Sequence, residues 1–569
     1  MATSISFLRP FGKNPASILT PVLLCLVLIL ALLPPARLLI MAMADLPAGD
    51  GGAMWSMLRS ASTWRATGNS LVTAGLATLL SVVLGTTLAL LVVLTDIRAK
   101  GFWVFMIMLP MMIPPQVTAL SWLQLSGPGS PLLQMLHLAP PLGSPQHLRS
   151  WWGIAMLMGI QHAPLVYLSV RGSLIALPKE LIEAARLAGA SQRDVVRDMI
   201  LPLCRNGLAA GAAIAFVSAL GNFGIPAMLG IPVSYYVLPT LIYQKMADFG
   251  PAMLADVSSL SVLIGVIALV GVVAQQHFSA RIPLTGMPGR PLAFVLGSQR
   301  WLAELALFLL VLVIVVVPLI ALISSSLVAA MGVPLSLDTV SLRAYEQILF
   351  HQSVTFRAFG NSILLAAAAA LILACICLPL AYLFVRFPSR SNAFLQGLID
   401  IPYALPGVVL AVACILLFAR PLPLIQVSLY GTLGLILFAY LSRFMAVCLK
   451  PIQSSMQQLD PALEEAAQLC GAGPTRRLRD IVFPLLAPAA FAGMLLVFLI
   501  AVNELTVSAL LWSAGNETLG VLVFNLDDGG ETVLASAVSV LIVLMVLILM
   551  LCLSALGRRV PRGVIPWRN

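Results

Sequence analysis

The chain has 569 residues, of which 60% are hydrophobic and 9% charged, with a mean hydropathy of +1.02. A soluble protein of this length cannot hide so much apolar surface, so composition excludes a soluble enzyme and points to an integral membrane protein. The formal charge of +10 follows from membrane topology and anionic lipid headgroups, and calls for no nucleic acid.

Apolar runs long enough to cross the hydrocarbon core as helices, about 20 residues each, are predicted at 18–40, 70–95, 102–123, 151–171, 204–228, 257–275, 302–327, 361–385, 395–419, 429–448, 485–512 and 532–556. These twelve predict an all-α fold of two six-span units, 1–275 and 302–569, joined by a cytoplasmic linker at 276–301. With the N-terminus inside, most Lys and Arg fall on one side, among them Arg9, Lys13, Arg98, Lys100, Arg281, Arg290, Arg300, Arg386, Arg390, Arg558, Arg559, Arg562 and Arg568. The positive-inside rule then places both termini in the cytoplasm. Ala42-Met43-Ala44 resembles a signal-peptidase site, but cleavage there would leave five spans in the first unit, so an uncleaved anchor helix is expected.

The two units repeat each other. Gly68-Asn69-Ser70 opens the second span and Gly360-Asn361-Ser362 the eighth, while Pro110 and Pro114 recur as Pro402 and Pro406, all 292 residues on. The offset then falls to 282, which places about ten extra residues in the loop 126–150 of the first unit. Beyond it, Ala210-Gly211 and Phe216 match Ala492-Gly493 and Phe498. Repeats in the same orientation imply a pseudo-twofold axis along the membrane normal, with a pathway between the halves.

Two polar loops, 177–202 and 459–484, interrupt the apolar pattern on the cytoplasmic side. Each carries Glu-Ala-Ala, then a glycine six residues after the glutamate, then a proline thirteen further on: Glu183, Ala184, Ala185, Gly189 and Pro202, and Glu465, Ala466, Ala467, Gly471 and Pro484. Asp460 is a good N-cap and Pro461 suits the first helical position, with Glu464 and Glu465 favourable in the first turn. In the first loop, Pro178, Glu180 and Glu183 start a helix, Gly189 stops it, and Ser191 with Asp194 makes a capping-box-like pair for the next. Ala184, Ala185 and Ala188, with Ala466 and Ala467, give the first helix of each loop a flat small-residue face.

This duplicated pattern resembles the signature loop of the inner-membrane permeases of binding-protein-dependent ABC importers, with Met199 and Phe483 as small departures. The resemblance implies a type I ABC importer permease fold in the bacterial inner (cytoplasmic) membrane, each loop being a coupling helix seated on a cytoplasmic ATPase subunit. It implies two copies of that ATPase, which would hold the ATP and magnesium, and an extracytoplasmic substrate-binding protein. The five lysines, Lys13, Lys100, Lys179, Lys245 and Lys450, include none in a phosphate-binding P-loop, so no bound cofactor and no catalysis is expected of this chain.

Charges inside spans are costly and default to functional candidates. Glu504 follows Asn503 in the eleventh span, and Asn222 occupies the matching place in the first half; fifth helices line the pathway in the resembled class. An opposed Asn and Glu would suit a hard cation. Asp400 and Glu304 are expected at the interface, and His162 as a packed, hydrogen-bonded core residue. All eight cysteines fall in spans or on the cytoplasmic side, and Cys375 and Cys377 lie about 200° apart around a helix, which argues against a shared metal site. The segment from Asn503 to Leu511 resembles the fifth-helix region of ferric-iron permeases, although the Lys and Pro that often flank its Glu-Leu are absent here. Iron is the first expectation for the substrate, with polyamine, thiamine or phosphonate as alternatives. An ion-coupled secondary transporter would leave the duplicated loops unexplained, and a sensor or scaffold would call for a signalling domain.

Overall fold

The computed structural model describes residues 15–44, 52–141, 143–248, 253–279, 294–419 and 428–556. Much of the expected linker and the basic residues of both termini lie outside the described residues.

Among the described residues the chain is helical, with nine straight helices long and apolar enough to span a membrane and four bent helix pairs. The first half contains α1 (Pro21–Ala44), α2 (Ala61–Leu94), α3 (Lys100–Met112), α4 (Pro115–Ser126), α5 (Trp151–Ile175), α6 (Lys179–Leu187), α7 (Arg205–Leu220), α8 (Gly224–Gly230), α9 (Leu238–Met246) and α10 (Met253–Ser279). The second contains α11 (Gly297–Ser326), α12 (Ser353–Arg386), α13 (Arg390–Ala404), α14 (Gly407–Phe418), α15 (Leu433–Gln458), α16 (Ala462–Leu469), α17 (Phe483–Val502), α18 (Ser508–Leu511), α19 (Leu519–Asp528) and α20 (Thr532–Leu556).

All twelve expected span positions are occupied, but four are not the continuous helices expected. The third and ninth bend by 98° and 106°. Pro114 and Pro115 withhold backbone donors after Met112, and Pro406 does so before Gly407, so neither helix can continue. The expected helix 204–228 breaks between α7 and α8 at Gly221–Phe223, and 485–512 breaks after Val502. The pair formed by Gly224–Val233 and Leu238–Met246, bent by 72°, starts within the expected span 204–228 and continues beyond it through residues with no expected span.

The repeat is legible in the packing. Helices α2 and α12 are both 34 residues long; α2 runs against α5 and α7, and α12 against α15 and α17. Small residues permit the close approach. A Cβ on Gly211 would lie 3.2 Å from Cα of Val166, and one on Gly493 would lie 2.9 Å from the carbonyl oxygen of Cys448, the equivalent neighbour. The Gly-Asn-Ser motifs perform the same task in both halves. Asn69 donates to the Tyr236 carbonyl at 2.9 Å and Ser70 accepts from the Leu238 amide at 2.7 Å; Asn361 donates to the Glu517 carbonyl at 3.0 Å and Ser362 accepts from the Leu519 amide at 2.9 Å. Each motif pins the segment that follows the fifth-helix break.

The halves are stitched by exchange of their first spans: α1 lies against α14, and α11 against α4. Buried hydrogen bonds fasten both crossings, from Ser442 to the Leu30 carbonyl at 2.7 Å and from Ser325 to Gln124 at 2.9 Å. The end of the linker is also held: Leu296 N donates to Asp96 at 2.9 Å, and Arg300 forms an ion pair with the same carboxylate.

Candidate functional site

In the first Glu-Ala-Ala loop, α6 starts after Pro178 and ends where Gly189 takes φ +89°; in the second, α16 ends where Gly471 takes φ +82°. A Cβ at either glycine would meet nothing within 4 Å, so the glycines are there for their left-handed backbone rather than for space. Amide-to-carbonyl bonds from Ala190 to Ala185 and from Ala472 to Ala467, 3.1 and 3.0 Å, close the two turns identically. Ser191 and Asp194 make a full capping box for the next helix. The Ser191 hydroxyl, and then its backbone N–H, hold the Asp194 carboxyl below the usual carboxylate range. In the second loop the helix begins at Ala462, one residue later than expected, and Asp460 accepts from the Ala462 amide at 2.9 Å. Pro202 lies in the short Leu201–Leu203 helix before α7, and Pro484 in the first turn of α17.

The exposed face of these helices differs from the expected alanine strip. Glu183, Ala184, Glu465 and Ala466 are exposed, but Ala185 and Ala467 are half-buried. The apolar prominence comes from leucines: Leu187 and Leu469 are each 90% exposed. Leu181 and Leu463 are exposed as well. The pairs recur at the same spacing in each copy, a regularity that scattered surface leucines would not show.

The loops are fastened to the bundle by different chemistry. Glu464 of α16 is buried and accepts from Arg386 Nε at 2.7 Å and the Tyr382 hydroxyl at 3.1 Å, while Arg386 also donates to the Leu459 carbonyl at 3.2 Å. At the equivalent places the first half has Ile182, Leu94 and Leu90, the first two fully buried. Sequence reading assigned Glu464 to the helix dipole and missed its ion pair. The signal was available in Arg386, the basic residue closing α12.

A second constellation surrounds the helix breaks, which meet between the halves. Asn503, at the end of α17, donates to the Met112 carbonyl at the α3–α4 break of the other half, 3.2 Å away. At the equivalent Gly221, a Cβ would lie 3.4 Å from Cα of Pro406 at the α13–α14 break. Asn222 and Glu504 are both buried and do the same local work. Asn222 accepts from the Ile225 amide at 3.2 Å, and Glu504 from the Val507 amide at 2.9 Å, so each caps the turn that follows the break.

Glu504 is further engaged by the Thr506 hydroxyl and, at 3.8 Å, by Nε of Arg443 on α15. Arg443 is a span charge that sequence reading missed, although Ser442-Arg443-Phe444 stands out in an apolar run. Its Nη1 is buried without a hydrogen-bond partner, as are both side-chain polar atoms of Gln116, Oε1 of Gln161 and Oδ1 of Asn503. Gly407 leaves the room: a Cβ there would lie 2.6 Å from Arg443 Nη1.

Other expectations fall as follows. Asp400, partly exposed, pairs with Lys450 at 3.0 Å, and Glu304 accepts from the Arg98 amide at 2.9 Å, both in keeping with interfacial sites. His162 is buried, as expected of a packed core residue. Cys375 is exposed and Cys377 buried, so they face apart, and no cluster of metal-ligating side chains occurs among the described residues.

A duplicated helical bundle with paired polar loops, exchanged first spans and helix breaks meeting between its halves defines a multi-pass membrane permease. The sequence matches the family described as binding-protein-dependent transport system inner membrane component over residues 81–282 and 377–566, and the chain belongs to that family. It is 26% identical to a probable ABC transporter permease protein, y4fN, of Sinorhizobium fredii, over 83% of each chain. It is 25% identical to the ferric transport system permease protein FbpB of Actinobacillus pleuropneumoniae, over 85% of this chain and 70% of the relative. A shorter match, 24% identical over 31% of this chain and 64% of the relative, joins it to the putative 2-aminoethylphosphonate permease PhnV of Salmonella typhimurium. The protein is therefore the permease of an ABC importer, of a family whose members generally work with an ATPase and a substrate-binding protein.

Proposed function

We propose that this permease carries ferric iron, with both termini and both Glu-Ala-Ala loops in the cytoplasm and one ATPase copy docked on each loop. The observation that carries the iron reading is the ferric-permease match, which runs through both halves and covers 85% of the chain, against 31% for the phosphonate permease. Hydrolysis of ATP with magnesium belongs to the partner. Glu183, Ala184, Ala185, Gly189 and Pro202, with Glu465, Ala466, Ala467, Gly471 and Pro484, form the two coupling elements; Leu187 and Leu469 supply the apolar contact that an ATPase cleft would cover. Asn222, Asn503 and Glu504 line the pathway where the helix breaks meet. Vesicles containing permease, ATPase and binding protein should take up ferric iron only with ATP; ATP-driven uptake of another solute and no iron would refute the reading.

A second reading, an oxyanion such as a phosphonate, is favoured by one feature. Both Glu504 oxygens have partners while Arg443 Nη1 has none, so the unfilled hydrogen-bonding capacity of that pair is a cationic donor. The same vesicles supplied with a labelled phosphonate separate the two.

A further inference from the structure

The two halves solve the same structural problem at the fifth-helix break with different charge. In the second half, Arg443 and Glu504 form an ion pair, their side chains 19% and 5% exposed. At the equivalent positions the first half has Gln161 and Asn222, both buried. The neutral pair performs the local tasks adequately. Gln161 reaches the Ile113 carbonyl at the α3–α4 break at 3.4 Å, as Arg443 reaches the α13–α14 break beside Gly407, and Asn222 caps its turn as Glu504 does. The fold thus gets by without charge at these positions, and ionised groups inside a membrane bundle are costly to desolvate. A pair retained where a neutral one suffices points to work on the substrate.

We propose that Arg443 is a specificity-determining residue, the resident counter-cation of Glu504, and that it sets a charge threshold for passage. This rests on the ferric reading above. The pair is loosely made: at 3.8 Å the closest approach exceeds hydrogen-bonding distance, and Nη1 is tied to no other acceptor. A cation takes Glu504 only by displacing the guanidinium and tolerating its repulsion. Attraction to the carboxylate and repulsion by the displaced guanidinium both scale with the ion's charge, while the lost ion pair is a fixed cost, so wherever attraction exceeds repulsion a trivalent ion overcomes that cost more readily than a divalent or monovalent one. A neutral oxygen without a partner, Oδ1 of Asn503, belongs to the residue next to Glu504 and suits the same hard cation.

The test uses the permease–ATPase complex in lipid nanodiscs, with gallium(III) and manganese(II) as redox-stable probes and retained metal measured after desalting. Wild type should hold gallium in at least about tenfold preference to manganese, and Arg443→Gln should bring the two within about twofold. Glu504→Asn should hold neither. The double variant Arg443→Gln/Glu504→Asn copies the first half's own residues, so it should assemble, and it too should hold neither metal. An unchanged gallium-to-manganese ratio in Arg443→Gln overturns the proposal. Should that single variant fail to assemble, gallium retained by the double variant overturns it equally. Wild type that retains no trivalent metal refutes the ferric reading, a failure visible before any variant is compared.

Discussion

Replacing Glu464 by Gln tests whether the second Glu-Ala-Ala helix is carried by its ion pair. The change keeps the shape of the side chain and removes its charge, leaving Arg386, 17% exposed, with the Leu459 carbonyl as its remaining acceptor. A hydrogen bond to a charged group contributes about 1.5–3 kcal/mol, and partial exposure of the arginine together with the surviving carbonyl bond favours the lower part, about 2 kcal/mol. That corresponds to roughly a thirtyfold shift from docked to undocked α16. Hydrogen exchange over 459–470 should speed up by about that factor while the first loop, 177–190, stays unchanged as an internal reference, because Ile182 docks it without charge. The double variant Arg386→Leu/Glu464→Ile installs the first half's residues and should restore protection. Exchange that changes by less than about twofold, or equally in both loops, would refute the reasoning.

Three further outcomes are expected. Gly189→Val and Gly471→Val each force a β-branched residue to positive φ at about 1–2 kcal/mol or more; transport should fall while membrane insertion persists, and normal uptake by both would exclude a coupling role for these turns. Native mass spectrometry of the intact complex should give one permease to two ATPases, and a stable assembly with two permease chains would contradict it. The Asp194 carboxyl is held below its usual range, so the cap it makes is present above the ordinary carboxylate pKa and is lost only as pH falls through the lowered value. Ser191→Ala should therefore move loss of protection at 191–200 to higher pH, and an unmoved midpoint would show that the hydroxyl contributes nothing.

Span positions, the duplication and the glycine turns were legible because each depends on local chemistry: long apolar runs, a motif at fixed spacing, a residue that tolerates positive φ. The helix breaks were only half legible. Pro114 and Pro406 were visible as repeat markers, yet a proline within an apolar run reads equally as a kink or a stop, and tertiary packing decides which. The ion pairs were not legible, because Arg443 and Glu504 are 61 residues apart in sequence and Arg386 and Glu464 78 apart. Neither separation is a helical period, so only the packing of α15 and α12 against their neighbours brings the partners together. Equally hidden was the exchange of first spans, since a hydropathy pattern identifies a crossing but not the half it lies against.

Aligning the halves residue by residue shows a consistent direction to their divergence. Arg443 and Glu504 stand opposite Gln161 and Asn222, and Arg386 and Glu464 opposite Leu94 and Ile182. Glu517, which Arg357 engages at 3.3 Å, stands opposite Tyr236. In the first two cases the second half places an ion pair where the first half has neutral or apolar side chains; in the third the arginine is common to both halves, as Arg65 and Arg357, and only the second half supplies a carboxylate. In separate, identical subunits any such pair would appear twice, and a charge at one fifth-helix break would recur at the other. Fusion of the halves removes that constraint: a carboxylate, Glu504, can stand at one fifth-helix break with the neutral Asn222 at the other, and one Glu-Ala-Ala helix can be held electrostatically while the other is held by packing. Burying one carboxylate rather than two avoids like-charge repulsion at the breaks, and leaves Arg443 free to compensate it alone.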